Sequence, residues 1–202
     1  VLGVTLPAVY VNPQDQGGLA YLFTPSPSLS MGRVGMSHQV PPQVAAFVAA
    51  RQLAYARPGL YLRHFIQTGT ALKAWLFAAI KLSSPQFPIA ADIEGSVTEA
   101  LAALKQFLPV DSRDHLASVV SKLIQSGTAL DLKKWVVATD LTADRAGFVV
   151  AHDLDTASQV IRASDDSTAA VSSQERFKEL VVFAASSSYF DMRRRLGITV
   201  DS

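Results

Sequence analysis

The sequence predicts an α+β fold, predominantly α-helical, with a small N-terminal β-sheet packed on a multi-helix core. Three observations carry that expectation. Residues 8–12 (AVYVN) and 19–24 (LAYLFT) are β-branched and aromatic runs, split by the turn-rich Pro13-Gln14-Asp15-Gln16-Gly17-Gly18. From residue 42 onward, apolar residues recur at three- and four-residue intervals, the period of an amphipathic helix. Pro58-Gly59, the loop SSPQFP and Pro109 punctuate that region as helix stops. Residues 1–40 are therefore strand-rich and residues 41–202 helical.

A third short strand is expected at 28–31, ahead of Gly32, Gly35 and Pro41-Pro42. The first helix covers 41–57. Pro42 suits its first turn, where a missing N–H costs nothing, and Pro58 stops it at Arg57. Val44, Phe47, Val48, Leu53 and Ala54 give it a broad apolar face. A short helix at 60–67 follows, then one at 70–82 with Leu72, Trp75, Leu76, Ala79 and Ile80 at helical spacing. Residues 90–107 set Ile93, Val97, Leu101 and Leu104 on one stripe, extended by Leu108, before Pro109. Asp111 or Ser112 is placed to cap the next helix, 115–125, which ends at Gly127. These two helices are expected to form an antiparallel hairpin. Gly69 and Gly127 each precede Thr-Ala-Leu and read as helix starts. A long helix over about 130–150 comes next, a short one at 156–163, and a loop at 164–171. Ser172-Ser173-Gln174-Glu175 is a capping box opening a last helix through Val182.

Composition bounds the function. A length of 202 residues fits one domain with room for a substantial core. Apolar residues are 49% and charged residues only 17%, so some apolar surface is expected to face another domain or subunit. A formal charge of +1 gives no case for nucleic-acid binding. The absence of cysteine rules out disulfides and thiolate metal sites, and suits a reducing, cytoplasmic setting. The start VLGV has no initiator methionine and no signal-peptide pattern, as expected of a piece of a longer multidomain protein. The longest apolar window, 74–80 between Lys73 and Lys81, falls far short of the ~20 residues a membrane span needs.

Most reactive side chains lack a chemical context. His38, His64, His115 and His152 include no pair four residues apart, and none has a carboxylate at metal spacing. Ser186-Ser187-Ser188 lacks the G-x-S-x-G elbow. Arg193-Arg194-Arg195 reads as a solvated turn favoured by a helix C-terminus. No glycine-rich phosphate loop occurs. What stands out is a pair of four-residue spacings. Arg51 and Tyr55 lie on one side of the 41–57 helix, and Asp140 and Asp144 lie one turn apart on the long helix. A buried arginine needs a partner, and these aspartates are the candidates.

Those two stretches carry a resemblance. Arg51-Gln52-Leu53-Ala54-Tyr55 and Asp140-Leu141-Thr142-Ala143-Asp144 resemble the two motifs of zinc metallopeptidases of the HtpX and CAAX-prenyl-protease type, which are gluzincins. Their pattern is His-Glu-x-x-His on one helix and Glu-x-x-x-Asp on a later one: two histidines and the downstream glutamate bind Zn²⁺, and the first glutamate activates water. The Leu-Ala inside the first motif, the Ala-Asp-Arg closing the second and the two upstream strands also resemble that family, over about residues 6 to 155. The resemblance implies a single metallopeptidase-like domain whose sheet borders a cleft and offers its edge to an extended peptide.

The departures change what the resemblance implies. Arg51 and Tyr55 stand at the histidine positions, Gln52 at the catalytic glutamate and Asp140 at the third ligand; only Asp144 matches. Arginine has no lone pair to donate and repels a cation, and glutamine is no general base. The expectation is a degenerate, catalytically inactive domain of a bacterial multidomain protein, with no metal and no cofactor. It would serve as a scaffold or interaction module for a protein partner or a neighbouring domain. Arg51 is expected to take the metal's place by bridging to Asp144, Asp140 or both, with the Tyr55 hydroxyl as a second donor. The alternatives are a hydrolase with residual or relocated activity and an unrelated helical docking domain.

Overall fold

Proline, glycine and polar caps divide the chain much as their chemistry dictates. The computed structural model describes residues 3–127, 130–164 and 170–198. Among them, helices dominate and a single three-stranded sheet lies at the N-terminal end, so the mainly helical α+β class holds. The chain divides into two compact units: Val1–Phe65 with Val137–Ser202, and Ile66–Val136.

In the first unit, β1 (Ala8–Val11), β2 (Leu19–Leu22) and β3 (Ser28–Met31) form a sheet in the order β1-β3-β2. Strand β3 runs parallel to β1, with Val9 opposite Leu29, and antiparallel to β2, with Tyr21 opposite Leu29. The 13–18 turn is held by Asp15, whose Oδ1 accepts from Gly17 N at 2.8 Å. Both outer strands stop short of their expected ends at 12 and 24, where Asn12 Oδ1 accepts from Gln14 N and the Thr24 hydroxyl donates to Ser26 O.

Helix α1 (Pro42–Tyr55) has Pro42 in its first turn and ends two residues before the predicted stop. Its buried stripe is Phe47, Ala50, Ala54 and Tyr55, whereas Val44, Val48 and Leu53 are only half-buried. The predicted 60–67 helix shrinks to α2 (Leu62–Phe65). The part of α6 (Leu132–Ala151) from residue 137 on, α7 (Leu154–Ala163), α8 (Ser173–Ala184) and α9 (Ser187–Arg195) complete this unit. The core joins Phe47 to Phe148, Val149, Ala157, Ile161, Leu180 and Tyr189. Side-chain caps start three of these helices: Asp153 for α7, Ser172 for α8 and Ser186 for α9. Ser172 caps α8 as the sequence predicts, while α7 begins two residues early on its Asp153 cap and α9 was not foreseen as a helix. Ser186 is thus a helix cap that accepts from Tyr189 N at 3.3 Å. Arg194 and Arg195 are exposed in the last turn of α9, as expected, but Arg193 is buried and donates to Val149 O at 2.8 Å and to Ile198 O, which corrects the solvated reading at that residue.

Helices α1 and α6 meet at Gly147. A Cβ there would lie 2.9 Å from both the carbonyl oxygen and the Cδ2 atom of Phe47. Alanine favours helices over glycine by about 1 kcal/mol, but a clash with backbone is not relieved by a rotamer. G147A is expected to cost about 1–3 kcal/mol in urea unfolding. Unchanged or raised stability would show that the helices are free to move apart.

The second unit packs around α3 (Gly69–Ser83), capped by Thr68. A 3₁₀ turn, Ala91–Ile93, leads into α4 (Glu94–Phe107), and α5 (Val110–Gln125) follows directly. Pro109 opens α5, so Asp111 and Ser112 lie inside the helix and cap nothing. Ala74 and Ala78 pack against Ile93, Val97 and Ala100, while Ala79 and Ile80 pack against Val120. Helix α3 is therefore the shared partner of α4 and α5, in place of the expected hairpin of those two on each other. Trp75, predicted to be core, is 37% exposed, because the small alanine face of α3 is the one that admits close neighbours. Gly127, at φ +61°, ends α5. The expected start at 128–129, the central residues 165–169 of the 164–171 loop, and Val1-Leu2 lie outside the described residues. No helix of the described residues is long and apolar enough to cross a membrane.

Candidate functional site

The two four-residue spacings become two facing rungs in the first unit. Helix α1 presents Arg51 and Tyr55 one turn apart, and α6 presents Asp140 and Asp144 one turn apart. Tyr55 donates its hydroxyl to Asp140 Oδ1 at 3.0 Å. Arg51 Nε lies 3.1 Å from Asp144 Oδ1. The expected bridge thus forms to Asp144 and not to Asp140, with Tyr55 as the donor on the other rung.

Neither aspartate depends on α1 alone. Arg63, from α2, grips Asp140 in a two-pronged pair, Nε to Oδ1 and Nη2 to Oδ2, both at 2.9 Å. Arg176, from α8, grips Asp144 in the same way, Nε to Oδ2 and Nη2 to Oδ1, both at 2.8 Å. All four residues are buried, Arg176 and Asp144 to 1% exposure. Such planar forks are the strongest form of side-chain ion pair. They also align the charges that burial would otherwise penalise. Burial works against the Arg176 charge, and the hydrogen bonds and charge of Asp144 more than offset it, so its pKa is raised.

The remaining polar groups line the edge of this cluster. Gln52 donates Nε2 to the carbonyl of Leu19 at 3.3 Å, which ties α1 to β2, and its Oε1 is buried without a partner. Arg51 Nη1 donates to Ser164 Oγ at 3.2 Å. Burial, then the nearby charge of Asp140, pushes the Tyr55 phenol well above its ordinary pKa, so it remains a hydrogen-bond donor. His64 stacks on Tyr21 at 4.4 Å and meets Tyr55 edge-on at 4.9 Å. Burial first, then the charges of Arg63 and Arg51, pulls His64 down to about 4 against the opposing pull of Asp140. Its Nε2 is buried without a partner.

That depression has a sign. Between pH 6.5 and about 4 the unfolded chain binds a proton at His64 that the folded chain refuses, so stability falls as pH falls through this window. The full shift is about 3 kcal/mol, and partial exposure of the ring screens it to about 1–2 kcal/mol. Urea unfolding at pH 7 and pH 4.5 is expected to show that much more acid loss in the wild type than in H64F. Equal losses would mean that His64 does not sense the cluster.

The donor set does not suit the divalent metal that the motif resemblance implies. Arg51 offers no lone pair, and the oxygens of Asp140 and Asp144 already face guanidinium groups. Among the described residues no group of three or more His, Cys, Asp or Glu is arranged to hold a metal ion. Sequence reasoning named Arg51, Gln52, Tyr55, Asp140 and Asp144, and they do come together. It missed Arg63, His64, Ser164 and Arg176. Arg176 carried a usable signal: it shares a helical stripe with Leu180 and Phe183, so it falls on the side that turns inward. No protein-family model, no curated protein and no solved structure matches this chain.

Proposed function

We propose that the first unit is a non-catalytic, metallopeptidase-like domain that acts as a protein-interaction or scaffold module within a larger protein. The observation that carries this reading is the pair of arginine clamps on Asp140 and Asp144. Cationic forks stand where a metallopeptidase would need open carboxylate and imidazole ligands, and a local positive charge opposes the entry of Zn²⁺. Gln52, at the position of a general base, is tied instead to the Leu19 carbonyl. Strands β1 and β2 lie at the two edges of the sheet, as the resemblance implies for an extended-peptide partner, and every residue of β1 is exposed.

The test is dialysis against excess Zn²⁺, followed by metal analysis and a broad screen of peptide and ester substrates. The expected result is less than stoichiometric zinc and no cleavage. Stoichiometric zinc together with peptide cleavage would overturn the proposal.

A further inference from the structure

We infer that the groove between α3 and α4 is a binding site for a small organic ammonium ion with an apolar body. The site belongs to the second unit alone and does not involve the arginine clamps. Ala71 and Ala74 from α3 and Ala100 and Ala103 from α4 line a cavity of about 540 Å³. Sites for small organic ligands commonly enclose about 300–1,000 Å³. Ala74 and Ala100 are buried, so the groove has an apolar floor.

Two larger side chains give this groove its chemistry. Trp75 lines it from α3 and is 37% exposed, although a large aromatic ring gains most from burial. Glu99 lines it from α4, and its carboxylate has neither an ion pair nor a hydrogen bond among the described residues. Its own helix offers no base, since Gly95, Ser96, Ala102 and Ala103 occupy the positions three and four residues away. Among the described residues no lysine or arginine lines the groove. Lys73, the lysine of α3 nearest in sequence to Trp75, places Nζ 5.4 Å from the Phe77 ring centroid instead. The groove therefore combines one negative charge, one indole ring and an apolar floor. An organic ammonium ion complements all three. Its charge pairs with Glu99, the face of an indole is the best aromatic partner for a cation, and its apolar body covers the alanines. An inorganic cation answers only the charge. A neutral ligand leaves the carboxylate without a partner, and an anion is repelled. An exposed carboxylate–ammonium pair contributes little by itself, so the ligand needs its apolar body as well as its charge.

The experiment follows the Trp75 indole N–H and the Ala71 and Ala103 amide resonances of the whole chain by NMR, at pH 7 and constant ionic strength. Three probes share one apolar body and differ in charge: phenethylammonium, phenethyl alcohol and hydrocinnamate. Ammonium chloride supplies the charge without the body, and acetyl-Gly-Lys-Gly-amide supplies it on a peptide. The expected result is a saturable shift with phenethylammonium, binding about threefold or more weaker with the alcohol, and none with hydrocinnamate or ammonium chloride. E99Q should bring phenethylammonium down to the affinity of the alcohol while leaving the alcohol unchanged, a result that mere loss of structure would not produce. W75L should weaken both, and W75F, which keeps an aromatic ring, should weaken them less and serves if W75L does not fold. The inference is overturned if phenethylammonium does not saturate, if the alcohol or hydrocinnamate binds as tightly, or if E99Q retains the preference for the cation. Tighter binding of the lysine peptide than of phenethylammonium also overturns it, because the groove would then serve a protein side chain. None of these outcomes bears on zinc, so the non-catalytic reading of the first unit is judged separately.

Discussion

Replacing Asp144 with asparagine (D144N) is expected to lower the unfolding free energy by about 3–5 kcal/mol, a large part of the ~5–15 kcal/mol that holds a typical domain together. Asparagine keeps the shape of the side chain and removes its charge. Arg176, at 1% exposure, then has no carboxylate at Asp144 to offset its desolvation, and Arg51 loses its ion pair 3.1 Å away. R176M should cost less, because Arg51 still faces Asp144 from α1. The double variant D144N/R176M should be less destabilised than the sum of the singles, since both changes remove the same ion pair and the double leaves no guanidinium at position 176 stranded. Urea unfolding of the four proteins closes the cycle. A D144N loss below 1 kcal/mol, or additive single effects, would show that the clamp does not couple α6 to α8.

What the sequence made legible follows the range of each interaction. The i, i+4 spacings of Arg51 with Tyr55 and of Asp140 with Asp144 are local, so the two rungs could be read before any coordinates. Which arginine grips which aspartate is not local. Arg63 is 77 residues from Asp140 and Arg176 is 32 from Asp144, and no periodicity encodes such a choice. The reading therefore gave Arg51 the whole role of bridge, when it is the weaker and more exposed of two partners at Asp144. Helix α3 failed differently. Its apolar residues wrap too far around to choose a face, and close packing selected Ala74 and Ala78 while Trp75 faced out. In α9 the apolar signal is thin, and the face it buries joins Tyr189 to a charged residue, Arg193. A polar helix anchored by a buried arginine looks like a surface loop until its carbonyl partners, Val149 and Ile198, are known.

The second clamp should matter as much as the first, and it can be separated from the hydroxyl beside it. R63M is expected to cost about 3–5 kcal/mol, because Asp140 is 4% exposed and loses the two-pronged pair that accompanies it into the interior. Y55F removes one donor from a carboxylate that Arg63 still holds at both oxygens, so its cost is expected at about 1.5–3 kcal/mol. Destabilisation alone does not prove that the lost arginine acted through charge, and His64 supplies that second readout. Burial, Arg63 and Arg51 all hold its pKa down, so removing Arg63 should raise it while burial and Arg51 keep it below 6.5. Y55F leaves both arginines in place and should move the His64 titration much less. If R63M costs less than Y55F, or leaves the His64 titration where it was, then Asp140 is held chiefly by the tyrosine and the two-clamp account of this site fails.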